Sequence, residues 1–367
     1  MIKDGFLWVI RILVGGLFIF SGLIKVNDPV GTSIKLEEYF DVFANDIAGF
    51  FSFFEPFALE LAVFLVVVEV VLGVMLILGV KSRFTVWALA LMILFFTFLT
   101  FFSAYFNKVT DCGCFGDAIK LTPWQSFYKD LILLVLISIL FLFQLDLPKK
   151  SPKWANILTV IVSVLSLVLA LLAIRNLPFI DFRAYKVGVN IPKNMLPSSP
   201  LEYTYVMRKN GELLSFDQYP NDESLEFVEM NLNNPDALPK ISDFAVWNDD
   251  GDFSEQLFTG NKALILVSNM GKMSEAHLAE IDQLIDDLAS SPIEPVFVAA
   301  ASHEEITAFM QSRGWDILGL QADATVVKTI IRANPGLMFL KDGVVLAKFH
   351  HNNTPGANEV LDLYINE

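Results

Sequence analysis

Over the first 176 residues the chain alternates long apolar runs with short polar breaks, and then its pattern changes. Five segments, Phe6–Ile24, Phe57–Leu78, Phe84–Phe106, Trp124–Phe143 and Trp154–Ile174, are apolar enough to be helices crossing a ~30 Å hydrocarbon layer, which takes roughly 20 residues. The first run is long and no small-x-small cleavage site follows it, so it reads as a retained span and not a leader. After Asn176 the apolar run stops, and Pro178 prevents simple helix continuation. YTYVMRKNGELLSFD predicts a β-hairpin turning at Asn210-Gly211, and residues 217–240 read as a loosely structured connector.

From Ile241 onward strands and helices alternate. KALILVSNM suits a buried strand, followed by a helix capped by Ser274 with Leu278, Ile281, Leu284, Ile285 and Leu288 on one face. EPVFVAA is another strand, Ser302 and Glu305 form a capping box, and Asp323 caps a third helix. ANPGLMFLKDGVVLAKF gives two strands around a Lys341-Asp342-Gly343 turn, before a last helix near 355–365. The predicted fold class is therefore multi-domain: an all-α helical membrane bundle followed by an α/β domain. The divisions are a four-helix transmembrane domain (1–150), a fifth transmembrane helix (151–176), a β-hairpin connector (177–240) and the α/β domain (241–367).

Charge adds an orientation. Residues 1–176 carry as many acidic as basic side chains, so the whole net charge of −15 belongs to the rest. An acidic exposed domain argues against nucleic acid or anionic lipid as its partner, because both select basic surfaces. Lys3, Lys81, Arg83, Lys149, Lys150 and Lys153 fall on one side of the five spans, the cytoplasmic side by the positive-inside rule. Loops 25–56 and 107–123 together carry more acid than base and fall outside. An odd number of spans puts the acidic domain outside too. The expected localisation is a bacterial inner membrane, multi-pass in the lipid bilayer, with the N-terminus cytoplasmic and the C-terminal domain periplasmic.

The chain has two cysteines, Cys112 and Cys114, in DCGCFGD. Outside the cytoplasm such thiols can be oxidised and stay so. A C-x-C disulfide closes a very small ring, departs from relaxed geometry and is easily reduced; closing so short a loop also adds little stability. The pair reads as a redox or thiol-exchange device, with a local structural disulfide or inert thiols as alternatives. No metal site is expected, since two cysteines are half a zinc tetrad and the four histidines lie far along the chain. The Asp249–Asp252 cluster lacks calcium-loop spacing and reads as a hairpin turn.

Several charges fall within or beside the spans. Glu69 lies near the middle of the second and Arg11 in the cytoplasmic half of the first, within side-chain reach in depth. They read as an intramembrane ion pair, the alternative being a snorkelling Arg11 and a protonated Glu69. Lys25, Glu60, Lys129 and Asp130 fall near the outer ends of spans. There Lys129 or Lys25 could stabilise a thiolate of the cysteine loop, or could be interfacial anchors.

RILVGGLFIFSGLIKVNDP, ELAVFLVVVEVVLGVMLILGVKSR and DCGCFGD together resemble the DoxX/MauE group of four-helix membrane proteins over about residues 5–145. The resemblance implies a membrane redox role: disulfide maturation of a partner enzyme, or quinone-linked oxidation. Residues 241–367 resemble a thioredoxin-like domain of the TlpA-like or peroxiredoxin-like kind, with Asn334-Pro335 where that fold carries its cis-proline. SNMGKMSEAH stands where the fold carries C-x-x-C, so dithiol chemistry is excluded there. Met270 and Met273 keep the spacing of the missing pair, but two thioethers are a poor copper site and packing is their expected role. His350 and His351, adjacent on a strand, should point to opposite faces and receive no function.

The expected function is a thiol–disulfide redox or maturation role for Cys112 and Cys114, with Asn334 and Pro335 on the partner-binding face of the exported domain. No cofactor is evident in the sequence, and a quinone is the acceptor the resemblance implies. The partner would be an exported protein. The alternative is a non-catalytic scaffold or assembly subunit of a cell-envelope complex. No oligomeric state is assigned.

Overall fold

The computed structural model describes residues 2–109, 113, 115–147 and 150–365. The chain divides into two compact units, Met1–Arg183 and Ala184–Glu367.

The first unit is helical: α1 (Ile2–Asn27), α2 (Pro29–Asp46), a 3-10 segment (Gly49–Phe57), α3 (Ala58–Leu78), α4 (Ser82–Phe106), α5 (Pro123–Leu142) and α6 (Lys153–Arg175). Five helices, all of these except α2, are long and apolar enough to cross a membrane, which makes the protein a multi-pass membrane protein. Local chemistry sets their ends. Asp28 caps α2, accepting from the Gly31 amide at 2.8 Å, with Pro29 in its first turn. Gly79 ends α3 in the left-handed conformation at φ 70°. Thr122 and Gln125 form a capping box that starts α5.

Helix α2 was not expected inside loop 25–56. Its buried positions Ser33, Leu36, Tyr39 and Phe43 keep helical spacing, but charged residues between them dilute the apolar signal. Tyr39 binds the Ser103 hydroxyl of α4 at 2.7 Å, fastening this helix to a span.

Helices α1 and α3 meet backbone to backbone. A Cβ built on Gly15 would lie 2.8 Å from the Gly73 carbonyl oxygen, and one on Gly73 would lie 2.7 Å from the Gly15 oxygen. Small residues permit this approach, and the gain is dispersion contact along the whole crossing. Around it Val14, Phe18, Leu72 and Leu76 pack with Leu89 and Ile93 of α4 and Ile137 of α5.

The second unit begins with α7 (Ile191–Asn194) and a three-stranded sheet of β1 (Tyr203–Lys209), β2 (Glu212–Phe216) and β3 (Glu226–Leu232), in the order β2-β1-β3. The expected hairpin turns at Asn210 and Gly211, both at positive φ. The connector reading of 217–240 is corrected at β3, whose antiparallel pairing with β1 makes it a full strand. Its alternation had been masked by a bulge, which leaves Val228 without a counterpart between Glu229 and Phe227.

The remainder is a seven-stranded mixed sheet. Its elements are β4 (Val246–Asn248), β5 (Gly251–Asp252), α8 (Ser254–Leu257), β6 (Asn261–Val267), α9 (Leu278–Leu288) and β7 (Ile293–Ala299). They continue with α10 (His303–Arg313), β8 (Leu318–Ala322), α11 (Ala324–Ile330), β9 (Gly336–Lys341), β10 (Val344–His350) and α12 (Ala357–Ile365). Strand order is β10-β9-β6-β7-β8-β4-β5, with β6, β7 and β8 parallel and β9 antiparallel to β6. This is a thioredoxin-like α/β arrangement, and the Asn334-Pro335 bond before β9 is cis. Phe297, Phe339, Ile281 and Leu337 are fully buried between sheet and helices. Asp249 and Asp250 form the β4–β5 hairpin turn, and Gly251 and Asp252 are β5 itself.

The close α1–α3 crossing predicts a mutational asymmetry. Gly73→Val should cost about 1–3 kcal/mol of stability or more by forcing branched atoms into backbone. Gly16→Val, whose Cβ meets nothing within 4 Å, should cost little. Thermal midpoints of the two variants in detergent check this.

Candidate functional site

Cys112 and Cys114 lie outside the described residues, as does Asp111. The structure does describe what adjoins them in sequence. Gly113, between the two cysteines, sits at φ 62°, and a Cβ there would lie 3.4 Å from Cγ of Lys35. Phe115 is buried, its ring 5.8 Å from that of Phe20 in α1 and under the ammonium of Lys129 at 5.2 Å. Gly116 lies against Ile24, and turns closed by Gly116 N–H to Gly113 O (3.1 Å) and Ala118 N–H to Phe115 O (3.2 Å) fold the segment. The loop therefore rests on α1, with α2 and α5 each presenting a lysine to it.

Of the two lysines expected near the cysteines, Lys129 is adjacent to the loop through Phe115. It also pairs with Asp130 at 2.7 Å, whose other oxygen accepts from the Thr100 hydroxyl at 3.0 Å. Lys35 went unremarked in the sequence; it lies on α2, and only the packing of that helix brings it to Gly113. Its ammonium bonds Glu38 at 3.1 Å. Glu60 is exposed at the start of α3.

Lys25 is engaged elsewhere. Its ammonium binds both oxygens of Glu69, at 2.8 and 3.1 Å, and lies 4.8 Å from the Phe96 ring centre. Both side chains are buried. This corrects the expected Arg11–Glu69 ion pair. Arg11 instead donates from Nε to Leu76 O (3.0 Å) and from Nη2 to Ile77 O (2.9 Å) at the end of α3. The reason is geometric: the last carbonyls of α3 have lone pairs left over by the helix ladder and attract the guanidinium, while Lys25 reaches the carboxylate from the other direction.

In the second unit, a single residue organises the surface around the cis bond. The Asn334 side-chain oxygen accepts from Ser268 N–H (2.9 Å), its amide donates to Asn269 O (2.8 Å), and its carbonyl accepts from Ser274 N–H (2.8 Å). Segment 268–274, where a dithiol would stand, is thus tied to the proline loop. Ser274 consequently does not cap α9; His277, at φ 64°, holds the N-cap position without a capping bond and pairs with Glu280 at 2.9 Å.

The two adjacent histidines are also placed differently from expectation. β10 ends at His350, so the chain turns and the rings meet with centres 4.0 Å apart. His351 Nδ1 donates to the Pro335 carbonyl at 2.8 Å, and His350 Nδ1 accepts from Asn352 N–H at 3.1 Å. Burial, with lesser contributions from His351 and His277, lowers the His350 pKa to about 4. His351 is also shifted down, by burial. Neither could be read from sequence, because the strand end decides which way the second ring points. Among the described residues no cluster of three or more ligating side chains could hold a metal.

Comparison with known proteins follows this division. Residues 3–143 match the family described as methylamine utilisation protein MauE. The match runs from α1 to the end of α5 and includes the cysteine loop, in agreement with the MauE side of the resemblance. Protein TlpB of Flavobacterium psychrophilum is 26% identical over 174 residues, which are 46% of this chain and 45% of the relative. The chain thus matches less than half the length of that relative. No solved structure matches.

Two predictions arise here. Lys25→Met leaves the Glu69 carboxyl buried without its partner and should cost about 3–5 kcal/mol, whereas Lys25→Met with Glu69→Leu should recover most of that loss. Thermal midpoints of the single and double variants decide. For His350, the folded protein stays neutral where an unfolded chain takes up a proton. Stability is thus complete above pH 6.5 and falls as pH drops towards 4. Denaturant midpoints between pH 7.5 and 4.5 should show that slope, and His350→Phe should flatten it.

Proposed function

We propose that this protein is a membrane thiol–disulfide oxidoreductase acting in the maturation of exported proteins. Its redox pair is Cys112 and Cys114, and its thioredoxin-like domain binds partners. The supporting observation is the cysteine loop's setting: Phe115 anchors it, and Lys129 and Lys35 flank its described residues. Cations beside a thiol favour the thiolate, the reactive form. Lys25, held by Glu69, serves the bundle and not the thiols.

In the oxidising direction, a partner thiolate attacks one sulfur of the Cys112–Cys114 disulfide, giving a mixed disulfide. The partner's second thiol displaces it. The partner leaves with a new disulfide, and Cys112 and Cys114 are left as thiols. Reoxidation of Cys112 and Cys114 to the disulfide would release two electrons and two protons, which a membrane quinone, the acceptor the resemblance implies, would take up as quinol.

The positive-inside distribution supports a reading in which the cysteine loop and the second unit both face the periplasm. With no cysteine of its own, the thioredoxin-like domain orients partners at the surface formed by Asn334, Pro335 and segment 268–274. A scaffold in an envelope complex is the competing reading, favoured by that missing dithiol.

Thiol alkylation in intact cells tests the proposal. Cys112→Ser or Cys114→Ser should leave exported partner thiols almost wholly alkylatable, and Lys129→Met should raise the pH of half-maximal cysteine alkylation by roughly 1 unit. Unchanged partner thiol states in both cysteine variants would reject the oxidoreductase in favour of the scaffold.

A further inference from the structure

The sheet β2-β1-β3 takes no part in the chemistry proposed above, yet its composition is unusual. Register places Tyr205 opposite both Phe216 and Met230, and Met207 opposite both Leu214 and Phe227, so one face is apolar up to the Lys209–Glu212 pair beside the turn. Met207 at its centre is buried, whereas Phe227 and Met230 on β3 remain 50% and 49% exposed. The opposite face carries Arg208, Glu226, Glu229 and Asn231. β3 pairs with β1 on one side, and among the described residues no strand pairs with its other edge.

An exposed edge with an apolar face invites pairing with another strand. The identity of that strand is constrained by charge. Between Gly211 and Pro239 there are seven acidic residues and no lysine or arginine; Lys209 and Arg208 are already paired with Asp222 and Glu226. A second copy adding antiparallel in the register centred on β3 would bring Glu229 towards Glu229 of its twin, and like charges directly opposite are unfavourable. An anionic lipid surface is repelled for the same reason. A strand alternating apolar and basic residues meets both requirements at once. Its apolar side chains continue the Phe227 and Met230 face, and its basic ones stand across from Glu226 and Glu229.

We propose that β3 is a docking edge for an extended segment of a partner polypeptide that alternates apolar and basic side chains. The edge contains none of the residues around Asn334 and does not depend on the thiol reaction. Main-chain hydrogen bonds would supply affinity and the alternating side chains selectivity, as in strand addition generally.

The test uses the full chain in nanodiscs of zwitterionic lipid, titrated against a fluorescent, end-blocked nine-residue peptide alternating lysine and valine. Its counterparts alternate glutamate and valine, or carry the same lysines interrupted by prolines. The lysine–valine peptide should bind at least about tenfold more tightly than either. Glu226→Lys with Glu229→Lys should reverse the charge preference, while Asp286→Lys with Asp287→Lys, on exposed positions of α9, should leave it unchanged. Equal binding of the lysine peptides with and without prolines would overturn the proposal, as would a preference insensitive to Glu226 and Glu229. So would a concentration-dependent dimer abolished by Met230→Lys, since a second copy would then be the occupant.

Discussion

A lysine and a glutamate sharing two hydrogen bonds inside the helical unit constrain everything around them. Either charge alone in an apolar interior is expensive, so Lys25 and Glu69 hold each other in place. Their union fixes the axial register of α1 against α3, because a slip of one residue moves a side chain by about 1.5 Å. The Arg11 guanidinium, bound to the final carbonyls of α3, fixes the same two helices at another height. With both ends pinned, the end of α1 that carries Ile24 and Phe20 becomes a defined platform for the segment around Phe115.

The five spans were legible because a membrane helix announces itself by length and uninterrupted apolarity. So were Asp323, Ser302 and Glu305 as caps, and both tight turns, because their chemistry is local. What escaped was whatever depends on distant partners. Arg11 and Lys25 lie two heptads apart on nearly the same face of α1, so only the axial register of α1 against α3 decides which of them meets Glu69. α2 hid behind its charges, and β3 behind the bulge at Val228. Lys35 became a neighbour of Gly113 only once α2 was seen to pack beside the bundle.

The second unit illustrates how a familiar framework persists without its usual reactive group. Asn334 makes three hydrogen bonds to the segment that would hold a dithiol, and His351 engages the carbonyl of Pro335 from the other side. The surface is therefore shaped by polar contacts that need no sulfur. Its geometry is set by hydrogen bonds to Asn334 and His351, with no thiol among them.

The Gly15–Gly73 crossing carries a mechanical implication. Where main chain touches main chain, no rotamers exist to be reshuffled, so the interface cannot yield gradually in the way a layer of leucines can. α1 and α3 form one stiff strut. Any breathing of the bundle must be borne by the side-chain-lined joints with α4, α5 and α6.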